Sequence, residues 1–372
     1  MESPTEAGIS HLIEHMLFKG TERRTAEQIA QDIEGRGGSM NAFTDREMTC
    51  YYARVLADDI ANAVDVLADM FTHSKLAPDD LELEKSVVQE EIRKYEDSPE
   101  DHIHDLHARM RWGNHPLGKP IIGTHESVGR FKREDLAEYM SKRYVGGKTI
   151  VAVAGNVDPV KVRDLAETNL ASLANDFELP NDPPPTSEAG EHLISKDVEQ
   201  VHFCTGGDGV NVYDDRKYAM SVLDAILGGS MSSRLFQEIR EKRGLAYAIG
   251  SYVAPYREAG AFTIYGGTSP KTFGEVREVI GKEIAKIRDS LASQEEVDRT
   301  KRMLKGNLVL GLESMSARMT RMARNEMLYG RDIPVEETLD KIGAVQPGDV
   351  RDLAVEFLEP ASLTTTAIGP FK

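Results

Sequence analysis

The chain has 372 residues, 40% of them hydrophobic and 29% charged, and a formal net charge of −17 at pH 7. That is more chain than one ordinary hydrophobic core accommodates, so two domains are expected. The negative balance argues against a nucleic-acid partner, whose recognition rests on basic patches, and no apolar run approaches the roughly 18 residues of a membrane span. It suits cationic ligands, although most of these charges need do no more than keep the protein soluble.

The start, Met1 to Glu6, lacks the basic opening and apolar core of a secretory signal, which sets the expectation of a cytoplasmic protein. The first helix is expected almost at once, over the apolar residues Ile9, Leu12, Ile13, Met16, Leu17 and Phe18. Apolar nearly all round, such a helix is buried. Chain ends fray, so a buried helix this close to the start implies further residues upstream. Within it, His11 and His15 are four apart, about one turn, and share a face with Glu14. Two neutral imidazoles at that spacing can point at one zinc ion, with a carboxylate in reach of a water beside it. The order H-x-x-E-H reverses the familiar H-E-x-x-H. The alternative is two core histidines and a solvated glutamate.

A strand pair is expected next, Met40–Thr44 with Met48–Val55, then amphipathic helices over Ala57–Phe71 and Asp79–Tyr95. At about 100° per residue, Glu84 and Glu91 fall within the apolar arc of Leu81, Val87, Val88, Ile92 and Tyr95, whereas Glu82, Glu90 and Glu96 fall outside it. Two carboxylates on a buried face demand a cation or strong donors. A zinc ion on Glu91, with Glu84 behind it holding a histidine N–H, meets that demand; the alternative is a half-buried face whose glutamates reach water. His102, His104 and His107 read as a solvated helix surface, and His73, His115 and His125 as structural. An apolar strand is expected over Thr149–Ala154.

The Pro-rich, acidic stretch from Asn175 to Gly190 reads as a stiff linker. It divides the chain into 1–175, a metal-binding domain, and 191–372, with 176–190 between them. The halves run in parallel. Gln31-Asp32-Ile33 with Arg36-Gly37 answers to Gln237-Glu238-Ile239 with Arg243-Gly244. The second half then offers strands Ala246–Val253 and Ala261–Tyr265, helices Thr272–Ile287 and Gln294–Leu312, and a final strand Leu363–Ile368. The expected class is α+β: two duplicated domains, each a mostly antiparallel sheet with helices layered on one face. All ten histidines lie at or before His202, so the second half cannot repeat the histidine site. Gly206-Gly207-Asp208-Gly209 and Gly228-Gly229-Ser230 lack the Lys-Ser/Thr of a phosphate loop and read as turns. Cys50 and Cys204 read as buried free thiols.

Taken together, the H-x-x-E-H helix, Glu91, the segments Asn41–Thr44 and Val88–Ile92, and the stretch from Ser232 through Arg240 to Tyr247 resemble the pitrilysin/insulinase family of zinc peptidases, the inverzincins. The likeness is strongest to the branch of mitochondrial processing peptidase and its bacterial relatives. The resemblance implies a zinc metalloendopeptidase with His11, His15 and Glu91 as ligands of one Zn2+ per chain, Glu14 as general base and Glu84 behind a ligand. It implies that Asn41, Ala42 and Phe43 form an edge strand that pairs with substrate. Arg240 and Tyr247 would contact substrate from the second half, where the residues by themselves read equally as a surface helix residue and a strand core residue. The implied partners are a peptide or unfolded polypeptide substrate and a second copy of the chain in a homodimer. Two alternatives remain: a non-catalytic structural subunit of the same fold, and a peptidase active only in a hetero-oligomer. Members of that family also carry strands of the first sheet ahead of the metal helix, which this sequence does not contain.

Overall fold

The structure, a computed structural model, describes residues 2–175 and 183–371. Of the expected linker, 176–182 lies outside the described residues. In chain order the first elements are α1 Ile9–Leu17, α2 Ala26–Glu34, β1 Ser39–Thr44, β2 Thr49–Arg54, α3 Ile60–His73, α4 Pro78–Glu96, α5 Pro99–Trp112, α6 His125–Arg130, α7 Arg133–Arg143 and α8 Pro159–Asn169. There follow β3 Gly190–Ser195, β4 Val201–Asp208, α9 Lys217–Leu227, β5 Ala246–Pro255, β6 Gly260–Thr268, α10 Phe273–Asp289, α11 Gln294–Gly311, α12 Met315–Tyr329, α13 Val335–Ala344, α14 Pro347–Phe357 and β7 Thr364–Gly369. No helix of the described residues is long and apolar enough to cross a membrane.

The chain gathers into two compact units, each assembled from separated stretches. Among the described residues, one holds 2–94, 119–175 and 312–332, and the other 95–118, 183–311 and 333–371.

In the first unit, β1 and β2 pair antiparallel as a two-stranded sheet, with Thr44 opposite Thr49. The core is built by α1 through Leu12, Ile13 and Leu17, α2 through Ile29 and Ile33, α3 through Val66 and Met70, and α4 through Leu81, Val88 and Ile92. The expected strand Thr149–Ala154 does not form. A strand exists through its ladder of hydrogen bonds, and among the described residues no neighbouring strand supplies one here. Ile150 and Val151 accordingly stay 39% and 46% exposed.

In the second unit, five strands run in the order β3-β7-β4-β6-β5, antiparallel throughout except for the parallel β3–β7 pair. Successive residues of a strand face opposite sides. Phe203 and Ala367 enter a core with α9, α10 and α14. Their neighbours Cys204 and Ile368 meet Ile103, with Leu106 packed alongside, so the opposite side of the sheet is covered by α5. This corrects the reading of the α5 histidines as a solvated surface. His107 is buried and His102 and His104 are partly so, because α5 lies on a sheet and has no open face toward it. Gly206 and Gly207 likewise belong to β4 and not to a turn. A Cβ at Gly206 would collide with the Phe262 carbonyl oxygen, and one at Gly207 would lie 2.5 Å from that of Phe357, so glycine marks close backbone approach here. Both cysteines are free; Cys204 is buried and Cys50 only half so.

Candidate metal centre

Helix α1 is fixed before its functional face is considered. The Glu2 carboxylate accepts from the backbone N–H of Gly8 and of Ser10, both at 2.8 Å, which satisfies donors that the first helical turn leaves unpaired. Gly8 has φ +89° and lies against Gly123, whose Cα would be 2.6 Å from a Cβ placed there, so the entry to α1 admits only glycine. Leu12, Ile13, Met16 and Leu17 are essentially inaccessible, which anchors one side of the helix and leaves His11, Glu14 and His15 on the other.

Across from that side lies α4. His15 Nδ1 is 3.0 Å from Glu84 Oε2, and the other Glu84 oxygen is 2.6 Å from Lys19 Nζ. A carboxylate can only accept, so Nδ1 carries the proton and the lone pair of His15 sits on Nε2. That Nε2 is 3.5 Å from Glu91 Oε2, and His11 Nε2 is 3.8 Å from the same oxygen. Burial, and then the neighbouring His15, push the His11 imidazole down to about 4, so it is neutral at pH 7. The candidate donor atoms of His11, His15 and Glu91 all lie within 4.8 Å of one another. Ligands about 2.0–2.1 Å from a tetrahedral zinc are separated by roughly 3.3–3.5 Å, so this donor set fits the ion. Two imidazoles and one carboxylate leave a fourth position open. The Glu91 side chain is 44% exposed, unlike Glu84 at 3%, because it faces the open side of the cluster and not the core. Helical periodicity therefore located both glutamates, but it did not separate the buried one from the half-open one.

Glu14 faces the same space. Burial raises its carboxyl above the usual range; the Thr44 hydrogen bond and His15 oppose that, while Glu91 adds to it. On β1, Asn41 and Phe43 are exposed while Ala42 is half-buried. β1 pairs with β2 on one side, and the Ala42 N–H is taken by the Asn41 side chain at 2.8 Å.

In the second unit, Arg240 lies on a π-helical turn, Phe236–Glu241, with its guanidinium 4.8 Å from the Phe236 ring centroid and 4.9 Å from that of Tyr247. Tyr247 falls at a bulge of β5, between Ala246 and Ala248, and is 81% exposed. It is thus not a strand core residue: the bulge turns its side chain out of the alternation. Sequence reasoning did not single out Lys19 or Thr44 as part of the site. Thr44 closes the segment Asn41–Thr44 and Lys19 lies two residues beyond α1, but neither has a periodicity or a charge pattern that marks it.

A model described as "Insulinase (Peptidase family M16)" matches residues 1–125, and one described as "Peptidase M16 inactive domain" matches 130–304. An uncharacterized zinc protease, YmxG, of Bacillus subtilis (strain 168) is 40% identical over 353 residues, covering 95% of this chain and 86% of the relative. Among solved structures, a protease from Helicobacter pylori is similar in fold, with a TM-score of 0.91 at 23% identity over 99% of this chain and 90% of that one. So is a chain of Complex III2 from Candida albicans, with a TM-score of 0.85 at 21% identity over 99% and 88%. With two family models spanning most of its length and a relative this similar along nearly all of it, the chain belongs to the insulinase family, peptidase family M16.

Proposed function

We propose that the protein is a zinc-dependent endopeptidase acting on extended peptides or unfolded segments. The observation that carries this reading is the convergence of His11, His15 and Glu91 beside Glu14; the zinc proteases among its relatives support it. Zinc, when bound by those three residues, supplies Lewis-acid polarisation of the scissile carbonyl and lowers the pKa of a coordinated water to about 7. Glu84 holds His15 in the tautomer that leaves Nε2 free, and Lys19 neutralises Glu84 from behind. Glu14 takes the proton of the attacking water and delivers it to the leaving amine. The peptide lies along β1 at Asn41, Ala42 and Phe43, where main-chain pairing provides affinity and side-chain pockets provide preference. Tyr247 donates to the developing oxyanion and Arg240 positions the substrate. A second copy of the chain, in a homodimer, is its proposed partner.

Glu14→Gln tests the reading because it keeps the shape and removes the base. Zinc content is expected to stay near wild type while hydrolysis of an unstructured basic peptide falls at least ~100-fold. Near-normal turnover in this variant would place the base elsewhere. A second reading, a non-catalytic subunit, takes its support from the match of residues 130–304 to the model described as "Peptidase M16 inactive domain". It requires the wild-type protein, loaded with zinc, to hydrolyse no peptide.

A further inference from the structure

Resting on the reading of Glu14 as the base, the geometry points to Thr44 as a positioning residue that aims the Glu14 carboxylate and ties it to the peptide-pairing strand. Thr44 Oγ1 lies 2.5 Å from Glu14 Oε2 and 3.2 Å from Thr49 Oγ1. A hydroxyl has one proton to give. An ionised carboxylate can only accept, so Thr44 donates to Glu14, and the contact with Thr49 is then donated by Thr49. The result is an ordered chain from Thr49 through Thr44 to Glu14, built on two residues directly opposite each other in the β1–β2 ladder.

This chain does two things. It holds one carboxylate oxygen, Oε2, and leaves Oε1 to receive a proton. A glutamate with free torsions loses rotamer entropy each time it must be aimed, and a fixed donor removes that cost from the reaction step. It also couples the base to substrate placement, because Thr44 terminates the same strand that carries Asn41, Ala42 and Phe43. A shift of β1 along its axis moves the hydroxyl, and with it the base. Thr44 needs no contact with substrate or metal for this role.

The experiment compares Thr44→Val, which keeps shape and β-branching but has no hydroxyl, with Thr44→Ser, which keeps the hydroxyl. Zinc content, KM and kcat are measured on the same preparations with an internally quenched basic peptide. A hydrogen bond to a charged group carries enough free energy that Thr44→Val is expected to lower kcat about tenfold or more, with KM and zinc within twofold of wild type. Thr44→Ser should recover most of kcat. Affinity of the Glu14→Gln protein for the same peptide, read by fluorescence anisotropy, should not change when Thr44→Val is added. In that background the residual rate should also be unaltered, because the two residues act as one unit. Wild-type kcat in Thr44→Val overturns the assignment, as does a loss that appears in zinc content or KM, or one that Thr44→Ser shares in full. These results differ from failure of the underlying reading, in which Glu14→Gln by itself retains turnover.

Discussion

Acidification should loosen the seam between α5 and the five-stranded sheet, and His107 sets the size of the effect. The residue is 3% exposed; its Nδ1 lies 3.2 Å from Thr366 Oγ1, and its Nε2 is buried with no hydrogen-bond partner among the described residues. Burial first, then Arg111, His104 and His192, push its imidazole down to about 3 from an ordinary 6.5. The sign follows from linkage. The folded protein keeps His107 neutral, while the unfolded chain binds a proton below pH 6.5, so its contribution is fully present above 6.5 and is lost as pH falls toward 3. The limiting slope is about 1.4 kcal/mol per pH unit, and between pH 7 and pH 5 the loss from this one group comes to about 2 kcal/mol. His104, beside Asp101, Asp105, Tyr252 and Tyr265, and His102 and His202 are lowered in the same direction and add to it. The chain's single tryptophan, Trp112, is 6% exposed on the same helix, 5.7 Å from the Tyr256 ring, and reports the seam directly. Urea unfolding followed by its fluorescence at pH 7 and pH 5 should show wild type losing about 2 kcal/mol more than His107→Gln across that interval. Equal pH dependence in the two proteins would refute the argument.

Three further outcomes are expected. Glu84→Gln should weaken zinc binding about 10–100-fold in chelator competition while the fold survives, because it removes the charge that fixes the His15 tautomer; unchanged affinity would dismiss that role. Asp224 has the opposite pH sign to His107: burial pushes it up to about 6 against the Ser251 hydrogen bond, so its cost to stability grows as pH rises from about 4 to 6. Asp224→Asn should therefore stabilise the protein by up to about 3 kcal/mol at pH 7.5 and little at pH 4, as denaturant midpoints will show. If Arg240 and Tyr247 serve the substrate, Tyr247→Phe lowers kcat and Arg240→Ala also raises KM, both with zinc intact; wild-type kinetics in both variants would leave the first half as the whole site.

Several parts of this protein were written in local sequence. The apolar circumference of Ile9–Leu17 and the four-residue spacing of His11 and His15 specified a buried helix with both imidazoles on one side. The 3.6-residue period of α4 put Glu84 and Glu91 on one face of that helix, and the strand-like runs after Arg36-Gly37 and Arg243-Gly244 marked β1, β2, β5 and β6 to within a few residues. Each depends on neighbours in sequence, and covalent geometry fixes it. What depends on distant partners was decided by tertiary structure. Thr149–Ala154 has a strand's composition but no ladder to join. The histidines of α5 read as solvated until a sheet built from the other half of the chain covers them. Gly206 and Gly207 resemble a turn until the backbones of Phe262 and Phe357 close in on them. The bulge at Tyr247, the Thr44 hydroxyl on Glu14 and the Lys19 ammonium behind Glu84 are single contacts between residues far apart in sequence or thrown out of register. No periodicity encodes them, because they arise only when separate elements pack to within hydrogen-bonding distance.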